Sequence, residues 1–117
     1  RTLLKTLRDG GFVGILADQR ARPPDAVVVP YFGRPASTTT SIARLAEKTG
    51  ALLLPAVCLR TGPGRWRLTF SEPVDPTAFP AAERAVEPLT ARITAVVESQ
   101  VRAAPEQWLW LHDRWRL

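Results

Sequence analysis

The chain has 117 residues, which is enough for one domain of modest size but too short for two ordinary domains. Its apolar fraction of 45% and charged fraction of 23% are typical of a globular domain and exclude a chain that is disordered throughout. The formal charge of +5 comes mostly from arginine, which pairs well with phosphate and carboxylate groups. This charge favours an anionic partner, although the codon bias of a high-GC genome would produce the same composition.

The cysteine content and the hydropathy of the sequence give evidence on the cellular compartment of the protein. Cys58 is the single cysteine and lies in the apolar run LLLPAVCL, so we expect a small buried side chain and a reducing compartment. No stretch reaches the apolar length of a membrane span, and the first ten residues do not resemble a signal peptide. Because the sequence begins with arginine and contains no methionine, we expect a piece of a longer or processed protein.

Helical and extended patterns alternate along the first part of the chain. Residues 1–11 place three leucines on one face and end in two glycines, which predicts a short helix. The apolar run 12–18 predicts a strand, and the diproline segment 19–26 predicts a loop. Residues 27–33 contain Pro30 and therefore predict an edge strand or an extended loop.

The remainder is predicted to form two helices and a hairpin. Residues 37–50 open with hydroxyl side chains suited to N-capping and end at a glycine, which predicts a helix. Residues 51–60 predict a strand buried on both faces, and the turn TGPG joins it to a half-exposed strand at 65–72. After a proline-rich loop, the apolar stripe Leu89–Val101 predicts the longest helix. This order of elements predicts an α/β fold.

Several kinds of active site are excluded by the sequence. There is neither a glycine-rich phosphate loop after a strand nor a Gly-x-Ser-x-Gly nucleophile elbow. One histidine and one cysteine cannot build an ordinary zinc site, so we expect neither a metal nor another cofactor. His112 and the carboxylates are the remaining candidates for acid–base chemistry.

Polar side chains follow the first predicted strand. Asp18 and Gln19 stand at its C-terminal end, which is where α/β sheets usually bind ligands. Arg20, Arg22 and Arg34 could gather there around an anion. A solvated arginine loop with Asp18 paired locally would give the same sequence, and composition alone favours that alternative.

The C-terminal tail, residues 105–117, reads PEQWLWLHDRWRL and contains three of the four tryptophans and the single histidine. Its aromatic and basic residues could bind single-stranded nucleic acid or a membrane interface. They could equally pack on the domain while the arginines reach outward to solvent. Packing is the favoured interpretation, because a lone histidine beside tryptophans is more often structural than catalytic.

Three segments in this order, GILADQ, VPYFGRPAST and PEQWLWLHDRWR, resemble the C-terminal part of the bacterial lipid A biosynthesis acyltransferases, which belong to the lysophospholipid acyltransferase superfamily. The resemblance runs from about Leu3 to Arg116. It implies that residues 1–117 are a single-domain fragment: the C-terminal portion of a lysophospholipid acyltransferase-like α/β sheet with flanking helices. The strand ALLLPAVCLR, with its central proline, also resembles the superfamily pattern.

The resemblance further implies transfer of a fatty acyl chain from acyl carrier protein to a hydroxyl of a lipid A precursor, at the cytoplasmic face of the bacterial inner membrane. Family members use a histidine as general base, followed after four spacer residues by an orienting aspartate or glutamate. His112 does not fit this signature, because Leu117 occupies the position of the acid. The signature would lie upstream, so no catalytic residue is expected here and the chain alone is expected to be inactive.

The resemblance assigns two groups of site residues. Asp18, Gln19 and Arg34 are implied to line the head-group or phosphate end of a cleft, with Arg34 as the main phosphate contact, and Arg20 is carried over less firmly from the family pattern. The tail carries a C-terminal signature that is implied to be structural or to flank the substrate. Its residues are Glu106, Trp108, His112, Arg114 and Trp115.

Two alternatives remain at this point. A phosphatidylinositol mannoside-type acyltransferase of the same superfamily would use acyl-CoA, and a nucleic-acid-binding module would show salt-dependent binding to oligonucleotides. The tail favours the lipid A branch, so the expected partners are acyl carrier protein, the lipid A precursor and a membrane surface, without nucleic acid. A chain without the upstream strands is also expected to expose a sheet edge and an apolar face.

Overall fold

A computed structural model describes residues 2–117, which begin with helix α1, Thr2–Arg8. The chain leaves the helix through Gly10, whose φ of 78° is accessible to glycine without strain. The predicted helix is therefore confirmed, except that its first residue, Arg1, lies outside the described residues. No residue of α1 is buried, so this helix lies on the surface.

The strand predicted at residues 12–18 does not form: residues 12–17 have no regular secondary structure, and a bend follows at Asp18 and Gln19. Between residues 2 and 117 nothing accepts a backbone hydrogen bond from the amides of Phe12 to Gln19, and a strand exists only through such pairing. Phe12 is 95% exposed and Leu16 is 74% exposed. An apolar pattern typical of a strand does not reveal whether a neighbouring strand is present to pair with it. These exposed side chains agree with the predicted apolar face.

Strands β1, Ala26–Tyr31, and β2, Arg34–Thr39, form an antiparallel hairpin. Pro30 lies opposite Pro35, so the edge-strand prediction for β1 is confirmed. The turn has positive φ at both central positions, 51° at Phe32 and 71° at Gly33, as a tight two-residue turn requires. Strand β2 was not predicted, because its hydroxyl residues were interpreted as the start of the next helix.

Two helices pack together to form the apolar core. Helix α2 spans Ser41–Thr49 and ends at Gly50, while helix α3 spans Val86–Ala103, so both predicted helices are confirmed. The Thr40 side chain does not cap α2; the hydroxyl of Thr39 accepts from the Ser41 amide at 3.2 Å instead. The core comprises Ala43 and Ala46 of α2 and Leu89 of α3, with Leu53, Phe79, Val86 and Ile93 partly buried around them.

Strands β3, Ala56–Gly62, and β4, Arg65–Phe70, form the second antiparallel hairpin, as predicted. The predicted burial of this region was wrong, because alternate residues of β3 are exposed and every residue of β4 is exposed. Cys58 is accordingly exposed and not the buried side chain that its apolar neighbours suggested. Other residues cover at most one side of the two-stranded sheet that β3 and β4 form.

The α/β class is confirmed, but the two hairpins are separate sheets and do not join into one layer within residues 2–117. An isolated antiparallel β-bridge joins Leu53, which precedes β3, to Val74, which follows β4. No helix in the described part of the chain is long and apolar enough to cross a membrane.

Candidate functional site

The tail, residues 105–117, folds back onto the first hairpin. The guanidinium of Arg114 is 1% exposed and donates to the Ser37 carbonyl at 2.9 Å and to the Thr38 hydroxyl at 2.7 Å. The indole of Trp115 donates to the Tyr31 carbonyl at 2.9 Å. These bonds join the end of the chain to β1 and β2, so the interpretation of the tail as a packed segment is confirmed. The expectation that its arginines reach outward is wrong for Arg114, which is buried against β2.

An aromatic cluster forms the contact between the tail and the hairpin. Its members are Tyr31, Phe32, Trp108, Trp110 and Trp115. Tyr31 is fully buried at its centre, with its ring centroid 5.7 Å from that of Trp115 and 5.8 Å from that of Trp108. Offset and edge-to-face aromatic pairs of this kind stabilise a structure beyond the burial of their area. The cluster therefore gives the tail one fixed position.

The cluster also holds the polar segment that follows residues 11–17. The indole Nε1 of Trp108 donates to Oδ2 of Asp18 at 3.2 Å, and Nη1 of Arg20 donates to the Arg116 carbonyl at 3.4 Å. Gln19 is exposed between them. The tail thus contacts the side chains of the residues on both sides of Gln19, Asp18 and Arg20.

Arg34 reaches the same cluster from β2. Its guanidinium carbon lies 5.4 Å from the centre of the Trp115 ring, and the side chain is exposed. The rings of Trp115 and Trp108 are 6.1 Å apart, and Trp108 contacts Asp18 in turn. Three of the predicted substrate-side residues, Asp18, Arg20 and Arg34, are therefore each in contact with the tail, whereas no direct bond joins Asp18 to Arg34.

The other residues of the C-terminal signature have no comparable contacts. Glu106 is exposed in the short 3₁₀ turn Pro105–Gln107. His112 is half-buried, and its recorded bonds use the backbone: its amide donates to Leu109, and its carbonyl accepts from Arg114. In the part of the chain that the structure describes, no carboxylate orients the imidazole of His112. The histidine therefore lacks the acid partner that a general base normally has.

Two polar atoms of the cluster are buried without a hydrogen-bond partner among the described residues, the Tyr31 hydroxyl and Nε of Arg114. Burial raises the pKa of Tyr31 to about 12 and lowers the pKa of Arg114. The Arg114 guanidinium lies 5.0 Å from the centre of the Tyr31 ring, and this cation–π contact offsets part of the desolvation of the charge. At neutral pH the pair is a phenol beside a guanidinium cation.

Two further polar side chains that sequence analysis missed fix the geometry of this region. Oε2 of Glu98 in α3 accepts from the Phe32 amide at 2.7 Å, and this bond, with the nearby Arg102, holds the pKa of Glu98 below its ordinary value. The side-chain amide of Gln107 bonds both the amide and the carbonyl of Arg60, at 2.8 and 3.1 Å. Polar residues on a helix or turn carry no sequence signal for such distant partners.

An apolar groove of about 560 Å³ adjoins the site, between residues 13–18, residues 51–59 and one face of α3. Asp18 and Trp108 belong to its lining, so the groove reaches the polar end of the extended segment. Among residues 2–117 there is no group of three or more His, Cys, Asp or Glu side chains that could hold a metal ion. The arrangement offers cations, a carboxylate and apolar walls, which suit binding of an amphipathic anion.

Comparison with known proteins agrees with the resemblance carried by the three segments. The family described as bacterial lipid A biosynthesis acyltransferase matches residues 1–117. The lipid A biosynthesis lauroyltransferase of Escherichia coli (strain K12) is 35% identical over 115 residues, which cover 97% of this chain and 37% of that protein. The chain therefore spans little more than a third of the length of this relative. The match along all 117 residues, together with this identity, shows that the chain belongs to the bacterial lipid A biosynthesis acyltransferase family.

Proposed function

We propose that the protein transfers a fatty acyl chain from acyl carrier protein to a hydroxyl of a lipid A precursor, at the cytoplasmic face of the bacterial inner membrane. The observation that carries this proposal is the family match over the whole chain, supported by the 35% identity to a lauroyltransferase. The 117 residues would form the C-terminal part of the acyltransferase domain and contribute the substrate side of the site.

The exposed cations at the aromatic cluster are assigned to the anionic head group of the acceptor. Arg34 is the main phosphate contact, because its guanidinium is exposed and is oriented by the Trp115 ring. A planar guanidinium held in this way loses less conformational entropy when it binds phosphate through two hydrogen bonds. Arg20, Gln19 and Asp18 line the same end of the cleft, with Asp18 held by Trp108.

The chemical step is assigned to groups outside residues 2–117. In acyl transfer of this kind a base removes the proton of the attacking hydroxyl and an acid orients that base. No carboxylate among residues 2–117 orients His112, and its backbone is part of the tail packing. The residues of this chain therefore bind and position the acceptor, while the His-x₄-Asp/Glu pair is proposed to lie elsewhere in the protein.

The geometry supports this assignment over a nucleic-acid-binding module. Single-stranded nucleic acid binds where aromatic rings are free to stack with bases. The rings of Trp108 and Trp115 instead contact each other and Tyr31 inside the aromatic cluster. Arg34 and Arg114 lie against rings of this cluster, Trp115 and Tyr31, rather than beside free stacking surfaces.

The test is an acyl-transfer assay with the full-length gene product, in which two donors are compared with the same acceptors. We expect transfer from lauroyl- or myristoyl-acyl carrier protein to a lipid A precursor, and little transfer from the corresponding acyl-CoA. Transfer from acyl-CoA to a phosphatidylinositol mannoside would instead support the other branch of the superfamily. Absence of transfer from either donor would contradict the assignment as an acyltransferase.

A further inference from the structure

The turn between β1 and β2 has a backbone conformation that its first central residue does not favour. Phe32 has a φ of 51°, in the left-handed region, and Gly33 follows with a φ of 71°. Turns of this kind favour asparagine or glycine at the first central position, because a bulky side chain is strained there. Such a conformation persists only where surrounding contacts hold it, and residues of this kind concentrate at functional sites. The contacts of Phe32 with the rest of the molecule therefore determine whether the turn keeps its shape.

Two side chains of α3 hold Phe32 from outside the hairpin. Oε2 of Glu98 accepts from the Phe32 amide at 2.7 Å. Oε1 of Glu98 accepts two hydrogen bonds from the Arg102 guanidinium, at 2.9 and 2.7 Å. The guanidinium carbon of Arg102 lies 4.6 Å from the centre of the Phe32 ring. Glu98 and Arg102 are one helical turn apart, so together they hold the backbone and the ring of Phe32 from one rigid element.

The conformation of the turn sets the position of Arg34. Arg34 follows Gly33 directly and pairs with Tyr31, and cross-strand partners project to the same side of a hairpin. The Tyr31 ring centroid lies 5.7 Å from that of Trp115, and the guanidinium carbon of Arg34 lies 5.4 Å from the centre of the same ring. The turn fixes the register of a two-stranded hairpin. A different conformation of the turn would therefore move Arg34 relative to Trp115.

We propose that Glu98 is a positioning residue for acceptor binding: by holding the Phe32 amide, it keeps the guanidinium of Arg34 where it meets a phosphate of the acceptor. Arg102 supports this role, because its two bonds fix the orientation of the Glu98 carboxylate. Both oxygens of Glu98 already accept hydrogen bonds within the protein, so Glu98 acts through Arg34 and does not bind the acceptor itself. The proposal rests on the proposed function, which assigns phosphate binding to Arg34.

The first experiment measures initial rates of the full-length protein with a lipid A precursor as the acceptor. Glu98→Ala is expected to raise the KM for the acceptor about tenfold and to leave kcat within about twofold, because a displaced Arg34 weakens binding in the ground state and the transition state alike. Glu98→Gln retains an oxygen that can accept from the Phe32 amide, so its KM is expected to stay within about threefold of wild type. A fall in kcat with an unchanged KM in Glu98→Ala would overturn the proposal.

A double-mutant cycle tests whether Glu98 acts through Arg34. In the Arg34→Gln background, Glu98→Ala is expected to change the KM for the acceptor by less than about twofold, because the group that it positions is already absent. A general loosening of the hairpin would raise the KM equally in both backgrounds and would overturn the proposal. If Glu98→Ala does not fold, the cycle is run with Arg102→Gln, whose side chain is 61% exposed and whose expected effect on the KM is about threefold.

The chain offers a matched control near the other end of α3. Nη2 of Arg92 donates to Oε2 of Glu83 at 2.8 Å, and the guanidinium carbon of Arg92 lies 4.1 Å from the centre of the Phe79 ring. These are the same three residue types, and within residues 2–117 none of their side-chain hydrogen bonds reaches the first hairpin or the tail. Glu83→Ala is expected to leave the KM for the acceptor within about twofold of wild type. An increase as large as that of Glu98→Ala would overturn the proposal.

An NMR measurement that needs no turnover separates this inference from the proposed function. The Nε–Hε resonance of Arg34 is observed in the full-length protein labelled with ¹⁵N-arginine and is assigned by its absence from Arg34→Gln. Glu98→Ala is expected to move this resonance, because the guanidinium leaves the Trp115 ring, whereas Glu83→Ala leaves it in place. An unmoved resonance in Glu98→Ala would overturn the inference. If the wild type transfers no acyl chain, the proposed function fails, while a moved resonance would still support the positioning of Arg34 by Glu98.

Discussion

The guanidinium of Arg114 donates from a solvent-free position to a backbone carbonyl and a hydroxyl of β2. Its planar fork matches the separation of these two acceptors, which a lysine ammonium cannot reproduce. We predict that Arg114→Lys lowers the free energy of unfolding by about 2 kcal/mol, the value of one or two charge-assisted hydrogen bonds. Arg116→Lys, on an exposed neighbour, is the control and should change stability by less than about 0.5 kcal/mol. Equal effects of both variants in urea unfolding would contradict the role given to Arg114.

Arg34 is the residue to which the proposed function assigns phosphate binding. We predict that Arg34→Gln raises the KM for the acceptor about tenfold to a hundredfold and changes kcat little, because one charge-assisted contact of about 1.5–3 kcal/mol is lost in the ground state and the transition state alike. Initial-rate kinetics of the full-length protein would measure this. Arg8→Gln serves as the control for net charge. A fall in kcat with an unchanged KM would mean that Arg34 acts on the chemical step instead.

Glu98 provides a pH-dependent contribution to the stability of the first hairpin. The Phe32 amide and Arg102 lower the pKa of Glu98 below its ordinary value of 4.5, so the folded protein favours the carboxylate. The stabilisation is therefore complete above the pKa of the unfolded chain and is lost as the pH falls through the lower pKa of the folded protein.

The corresponding prediction compares Tm from pH 3 to pH 7 in wild type and Glu98→Gln. The wild type should be more stable above about pH 5, and the difference should shrink as the pH falls below 4.5, the ordinary pKa of this carboxyl. Glu106→Gln, at an exposed carboxylate of the tail, controls for the loss of one negative charge. A difference that stays constant across this range would show that the Glu98 carboxylate has no preference for the folded state.

At the level of elements, the segment from Phe12 to Ala17 has the composition of a strand, but its amides donate to no backbone carbonyl within residues 2–117. Apolar side chains do not satisfy free amides, whose partners are water or another polar group, and a paired backbone would also cover the apolar side chains. We predict that in the full-length protein these amides pair with a strand from outside the 117 residues.

Hydrogen exchange of the full-length protein followed by mass spectrometry would test that pairing. The amides of Val13 to Ala17 should exchange at least a hundredfold more slowly than those of an open chain, and as slowly as the amides of β1. The amide of Arg22, which donates to no backbone carbonyl of the described residues, is the internal control and should exchange fast. Fast exchange in both places would contradict the prediction and leave the apolar residues exposed.

Elements with a local sequence signal were predicted correctly, and elements without one were missed or misjudged. Local pattern was sufficient for α2, α3 and the second hairpin, because capping glycines, an apolar stripe and the TGPG turn are local signals. Strand β2 was missed because Ser37, Thr38 and Thr39 suit an N-cap and a β-strand alike. The burial of Cys58 was misjudged because an apolar run indicates a strand without revealing how many of its faces are covered.

At the scale of the whole molecule, the site depends on contacts between distant parts of the chain. The packing of the tail could be predicted from its tryptophans, but its partners could not. Trp108 and Asp18 are 90 positions apart, and Arg114 and Ser37 are 77 apart. A family resemblance named these residues as a set, whereas only the folded chain reveals that Trp108 holds Asp18 and that Trp115 orients Arg34.

The proposed acyltransferase uses the tail, residues 105–117, as a structural segment and not as the source of its catalytic base. The decisive measurement is the rate of acyl transfer by full-length wild type and His112→Asn, from pH 6 to pH 9. We predict that both proteins transfer the acyl chain, with kcat values within about threefold and the same pH profile. Since a general base contributes at least about a hundredfold, a loss of that size in the variant, or no transfer by the wild type, would contradict the account.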